Sequence, residues 1–144
     1  MSLTKEQIQR QLAHSPFIAF LNMEVTEVDA EKQRIVIRTP MRPELERGRG
    51  GGQWHGGPIA AIIDTVGDFA LVITLGRPLP TVNFRVDYLR PAVNTALTAV
   101  GTVRRAGKSV GVVDVDVLDD RGNLVAVGRA AYSTLPPQPA PAPS

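Results

Sequence analysis

The stretch from Ile59 to Leu75 constrains this chain more than any other. Ile59, Ile62, Ile63, Val66, Phe69, Leu71, Val72 and Ile73 place apolar side chains on nearly every side of a helix. A helix apolar all round must be wrapped by other structure. Asp64, Gly67 and Asp68 interrupt the run, and the hydrocarbon of a bilayer tolerates carboxylates badly, so a helix buried inside protein is expected rather than a membrane span. Pro58 suits the first turn, where its missing N–H would be unpaired anyway, and Gly76 followed by Pro78 stops the helix. These signals predict a helix over about 58–75.

What wraps it is read from the flanks. Thr4 to His14 has the pattern of a short amphipathic helix, with a capping box at Thr4 and Gln7, an apolar stripe of Ile8 and Leu12, and a stop at Ser15-Pro16. Phe20 to Val28 and Gln33 to Thr39 read as strands. The glycine-rich segment within Pro40 to Gln53 reads as a loop. After the long helix come four strand-like runs: Val82 to Tyr88, Leu97 to Arg104, Val113 to Val117 and Leu124 to Tyr132, joined by short turns that imply antiparallel neighbours. The economical packing is α+β: a six-stranded antiparallel sheet curled around one long helix, plus a short N-terminal helix. One helix cannot cover both faces of six strands, and the uncovered edge or face argues for a homo-oligomer. The 144 residues suffice for one core, so residues 1–135 are expected to form one domain, and the Pro/Ala-rich residues 136–144 an extended or disordered tail.

Composition removes several classes of function. The chain has no cysteine, which excludes disulfides, thiolate metal sites and a cysteine nucleophile. A net charge of +2 without a basic stripe argues against nucleic acid. Met1 to Leu12 carries Lys5, Glu6 and Arg10 and lacks the apolar run of a secretory signal, so a cytoplasmic setting and no membrane are expected. The two histidines, His14 and His55, have no nearby Glu to make a metal set, and no metal is expected. No Ser or Thr sits in a nucleophile elbow.

The chemistry left to the chain lies on the long helix. Asp64 and Asp68 are four residues apart and share a face, with no basic residue on the helix to pair with them. Burying a carboxylate costs several kcal/mol unless it is paired, which points to a site that uses one, although a solvated or externally paired face is the alternative. Just upstream stands His55-Gly56-Gly57-Pro58. Open N–H groups at a helix start, aided by the helix dipole, form a ready oxyanion site, although Gly56 and Gly57 can also simply shape a turn. A carboxylate to activate water or attack directly, with amides to hold an oxyanion, suits hydrolysis of an activated acyl group. His55 is a candidate base or a residue that holds the loop by hydrogen bonds, and His14 is expected at the surface.

Four segments carry a family resemblance: Trp54-His55-Gly56-Gly57-Pro58 running on to Asp64-Thr65, Val86-Asp87-Tyr88-Leu89-Arg90-Pro91-Ala92, Arg104-Arg105-Ala106-Gly107-Lys108-Ser109, and Gly122-Asn123-Leu124-Val125-Ala126-Val127-Gly128. From about Phe17 to Thr134 the chain resembles the hotdog-fold thioesterases, specifically the PaaI-type (phenylacetic-acid degradation) branch of the 4-hydroxybenzoyl-CoA thioesterase superfamily. The resemblance implies a dimer with a continuous sheet, often a homotetramer, and a site between protomers. It implies that the Gly56 N–H of one chain polarises the thioester carbonyl while Asp64 of the partner is nucleophile or general base. Asp68 and Thr81 match positions that orient or hold the attacking water in relatives. Coenzyme A would enter only as part of the substrate, with no separate cofactor. Gly57, Arg90, Arg104, Arg105 and Lys108 are the expected substrate-binding residues, the four cations suiting its phosphates.

The chain departs from the family pattern at Arg49, where many relatives carry Asn or Gln near the carbonyl, and at Asp68, which replaces a hydroxyl. Arg49 could donate to the oxyanion or pair with Asp64, and two close carboxylates should raise one pKa. The expected activity is hydrolysis of an aryl or medium-chain acyl-CoA. The alternative is a hotdog module that binds acyl-CoA without turnover. Hydratase chemistry is disfavoured by the lack of an Asp-x-x-x-x-His set.

Overall fold

The computed structural model describes residues 1–144. Helix α1 (Lys5–Leu12) is capped as expected: Gln7 N–H donates to the Thr4 hydroxyl while the Gln7 side chain accepts from Thr4 N–H, and Ile8 and Leu12 are buried. Ser15-Pro16 does end that helix, but it also starts another. The Ser15 hydroxyl caps α2 (Pro16–Leu21) with Pro16 in its first turn, and left-handed Asn22 closes it. Phe20 and Leu21, expected in a strand, are therefore helical, and β1 (Glu24–Asp29) begins later. The reason is local: a serine cap followed by proline is as good a start signal as a stop.

β2 (Arg34–Thr39) follows, then a 3-10 turn at Pro43–Leu45 and the long helix α3 (Gly56–Leu75). α3 starts two residues earlier than Pro58, because His55 rather than Gly57 is its cap. It ends where expected, on Gly76 at φ 79°, a left-handed angle that glycine adopts without steric cost. The rest is β3 (Thr81–Tyr88), β4 (Leu97–Ala106), β5 (Val110–Leu118) and β6 (Leu124–Ser133). Residues 136–144 form no helix or strand.

The strands make one antiparallel sheet in the order β1-β2-β4-β5-β6-β3, and it curls around α3. This is the hotdog fold. α3 is long and apolar enough to cross a bilayer, but its sides are occupied by the sheet: Ile62, Ile63, Val66, Leu71 and Ile73 are fully buried against inward residues such as Val113, Val115 and Ala130. The approach is close. A Cβ on Gly67 would lie 2.3 Å from the Tyr132 hydroxyl, so only glycine fits there.

The two sheet edges are finished differently. At β1 the Gln9 side chain donates to Met23 C=O (2.9 Å) and accepts from Val25 N–H (2.7 Å), so α1 satisfies part of that edge. β3 has a neighbour on one side only and exposes Val82 (59%), Phe84 (40%) and Tyr88 (53%). An apolar, unpaired edge of this length is a template for another strand.

Candidate active site

The start of α3 is held from several directions. Trp54 N–H donates to Ala92 C=O and His55 N–H to Leu45 C=O, both at 2.9 Å, and the buried Trp54 indole donates to Thr95 C=O at 2.8 Å. These bonds fix the segment that feeds the helix. His55 Nδ1 accepts from Gly57 N–H at 2.8 Å. Of the open N–H groups expected at the helix start, Gly57 N–H is taken by the cap, while Gly56 N–H, the one the resemblance implies, opens the helix and has no helical acceptor. His55 is exposed and acts here through its capping bond. Gly56 C=O accepts from the Tyr88 hydroxyl at 2.6 Å. A cleft of about 410 Å³ opens here, lined by Arg47, Trp54, Gly56, Ile59, Tyr88 and Arg90 among others.

The carboxylates lie further along α3. Asp64 is half-buried, and its Oδ1 accepts from the Thr81 hydroxyl at 2.8 Å. Thr81 therefore orients the carboxylate itself. Asp68 Oδ1 accepts from Leu79 N–H at 2.9 Å. Burial pushes the Asp68 carboxyl up to about 7, and the nearby charge of Asp64 adds to this against the lowering effect of the Leu79 bond. A raised pKa was expected from carboxylate repulsion, but desolvation is the larger cause. Burial, with both carboxylates, also pushes the Tyr132 hydroxyl up, so it stays protonated and donates to Asp64 C=O at 2.5 Å. A second cleft of about 210 Å³ is lined by Phe17, Ile18, Ala61, Asp64, Asp68 and Phe69 among others. Two of these walls come from α2, the helix that sequence reading missed.

Within one chain the two parts do not meet. Gly56 and Asp64 are eight residues apart on α3, about 12 Å along its axis, and they face separate clefts. The expected phosphate-binding cations are also divided. Arg90 follows β3 and borders the Gly56 cleft, whereas Arg104, Arg105 and Lys108 sit around the β4–β5 hairpin. Tyr88 pairs with Ala126 and Val110 with Ser133, so the two groups meet β6 at opposite ends, about 23 Å apart. Arg104 already pairs with Asp114 at 3.5 Å. Arg49 is exposed in the glycine turn, makes no ion pair with Asp64, and leaves the cleft wall to Arg47. Arg47 was missed as a cleft residue because it reaches the helix start only through the bridge Glu46–Trp54, whereas Trp54 and Ile59 flank Gly56 in the sequence and that proximity was the signal for them. His14 is exposed beyond α1.

The fold and the divided helix site define a hotdog-fold protein. The thioesterase superfamily model matches residues 51–126, more than half of the chain, and the protein belongs to that superfamily. It is 27% identical to the medium/long-chain acyl-CoA thioesterase YigI of Escherichia coli, over 83% of this chain and 85% of that one. A solved structure from the thioesterase superfamily superposes with a TM-score of 0.84 at 39% identity, over 90% of this chain and 96% of that one. The PaaI protein from the phenylacetic acid degradation operon of E. coli shares the fold, with a TM-score of 0.76 at 22% identity over 92% and 96% of the two chains. Membership and relatives together support thioester hydrolysis as the chemistry of this protein.

Proposed function

We propose that the protein hydrolyses the thioester of an acyl-CoA, with an aryl or medium-chain acyl group, in a site shared by two protomers. One observation carries the reading. Edge strand β3 is tied to Asp64 at its first residue, Thr81, and to Gly56 at its last, Tyr88. Antiparallel pairing of two β3 edges sets the Thr81 end of one chain beside the Tyr88 end of the other. That pairing brings Asp64 of one chain toward Gly56 of its partner, and the cations of the β4–β5 hairpin toward the partner's Arg90. It also covers the exposed Val82 and Phe84. Two such dimers would make the tetramer.

In this site Gly56 N–H holds the thioester carbonyl oxygen and stabilises the negative charge it gains. As general base, Asp64 takes a proton from water, whose oxygen bonds to the carbonyl carbon. The C–S bond then breaks, and the CoA thiolate leaves and is protonated. As nucleophile, Asp64 bonds to the carbonyl carbon, the C–S bond breaks and CoA thiolate leaves and is protonated; water then opens the mixed anhydride, releasing the acid and restoring the Asp64 carboxylate. Thr81 aims the carboxylate, and Asp68, carrying a proton part of the time near neutrality, keeps a second negative charge away from it. A thioester suits a weak base because thiolate is a good leaving group.

The test is a panel of aryl- and straight-chain acyl-CoA substrates with free-thiol detection. Wild type should release CoA and Asp64→Asn should lose at least about a hundredfold in kcat. Tight acyl-CoA binding without thiol release would instead establish the non-catalytic module.

A further inference from the structure

The peptide unit between Gly56 and Gly57 is gripped at both of its polar atoms. Its carbonyl oxygen accepts from the Tyr88 hydroxyl at 2.6 Å, and its N–H donates to His55 Nδ1 at 2.8 Å. The peptide just before it carries the open Gly56 N–H, and the two planes meet at the Gly56 α-carbon. Glycine has no Cβ to restrict rotation about that atom, so something else must hold the amide's direction. The Tyr88 ring covers the same spot. A Cβ on Gly56 would lie 3.2 Å from both the ring carbon bearing the hydroxyl and the hydroxyl oxygen. Tyr88 is nevertheless 53% exposed, so core packing does not account for it. It stands at the end of an edge strand, in the wall of the cleft that Gly56 opens into.

We propose that Tyr88 is a positioning residue for thioester hydrolysis: its hydroxyl, opposed by His55, locks the Gly56–Gly57 peptide and so keeps Gly56 N–H aimed at the developing oxyanion. The assignment rests on the hydrolase reading above. A donor held in place before reaction needs no reorganisation as charge develops, and this is the source of its catalytic value. Tyr88 acts through Gly56 and transfers no proton. Its loss should therefore weaken transition-state stabilisation and leave ground-state binding, which is spread over the rest of the substrate, nearly intact.

Tyr88→Phe keeps the ring and removes only the hydroxyl. We expect kcat to fall about tenfold, the scale of one lost hydrogen bond, with KM within about twofold of wild type. The amide signals of Gly56 and Gly57 in a nitrogen–proton correlation spectrum should shift or broaden while distant signals hold. In a Gly56→Ala background, Tyr88→Phe should add little further loss, because both changes disturb one peptide. Wild-type kcat in Tyr88→Phe, unmoved Gly56 and Gly57 amides, or a fully additive double variant each overturns the assignment. If wild type itself releases no CoA, the hydrolase reading has failed instead, and the amide signals alone then decide whether Tyr88 holds this peptide.

Discussion

Mixing two inactive chains tests the shared site directly. Asp64→Asn removes the carboxylate and leaves Gly56 intact. Gly56→Val places a Cβ 3.2 Å from Tyr88 and fills the mouth of that cleft, but leaves Asp64 and its Thr81 bond untouched. Each variant alone should be inactive. In a two-fold dimer whose sites each take Gly56 from one chain and Asp64 from the other, a mixed dimer has one site with both groups and one with neither. Random association at equal concentrations makes about half of the dimers mixed, so about a quarter of wild-type kcat should return. The assay is co-refolding or co-expression at varied ratios, with thiol release measured against total protein, and the recovered activity should peak at equal amounts. The prediction follows from the 12 Å or so that α3 puts between the two groups, too far for one chain to bring both to one carbonyl. If every ratio gives only the sum of the two parents although mixed dimers form, both groups act within one chain or one of them does not act, and the shared-site reading is refuted.

Three further outcomes are expected. Thr81→Val removes the hydroxyl that donates to Asp64 Oδ1, and steady-state kinetics should show kcat reduced about three- to tenfold, matching a lost bond of about 0.5–1.5 kcal/mol. Asp68 is pushed up to about 7 from its ordinary 3.8, so the native state holds a proton that the unfolded state has released. From this group, stability should fall as pH rises between roughly 4 and 7, by at most about 1.4 kcal/mol per pH unit; urea denaturation at pH 5 and 7.5 should show Asp68→Asn gaining more relative to wild type at pH 7.5 than at pH 5. Gly67→Ala would set a methyl 2.3 Å from the Tyr132 hydroxyl, and thermal or urea unfolding should register a loss of about 1–3 kcal/mol from overpacking.

Much of the architecture was legible because it rests on local rules. The Thr4 capping box, the Gly76 stop and the alternation in Val113, Val115 and Val117 are near-neighbour patterns, and each appears in the structure as read. The misreadings arose where one signal allowed two outcomes. Ser15-Pro16 ends α1 and starts α2, and His55 caps α3 so that it starts two residues ahead of Pro58, which would itself suit a first turn.

The sequence by itself determined that one all-apolar helix must be enclosed by strands, and that two carboxylates and an open amide lie along it. Those are consequences of periodicity and of what burial costs a charge. Only the tertiary structure decided which partners these groups have: Thr81 for Asp64, Leu79 for Asp68, Tyr88 for Gly56. Each of those contacts joins residues 11 to 32 positions apart, across a chain reversal whose register no local pattern records. It likewise decided that the cations divide between two ends of β6 and that β3 is left as the open edge, because strand order is set by how the whole sheet closes around α3.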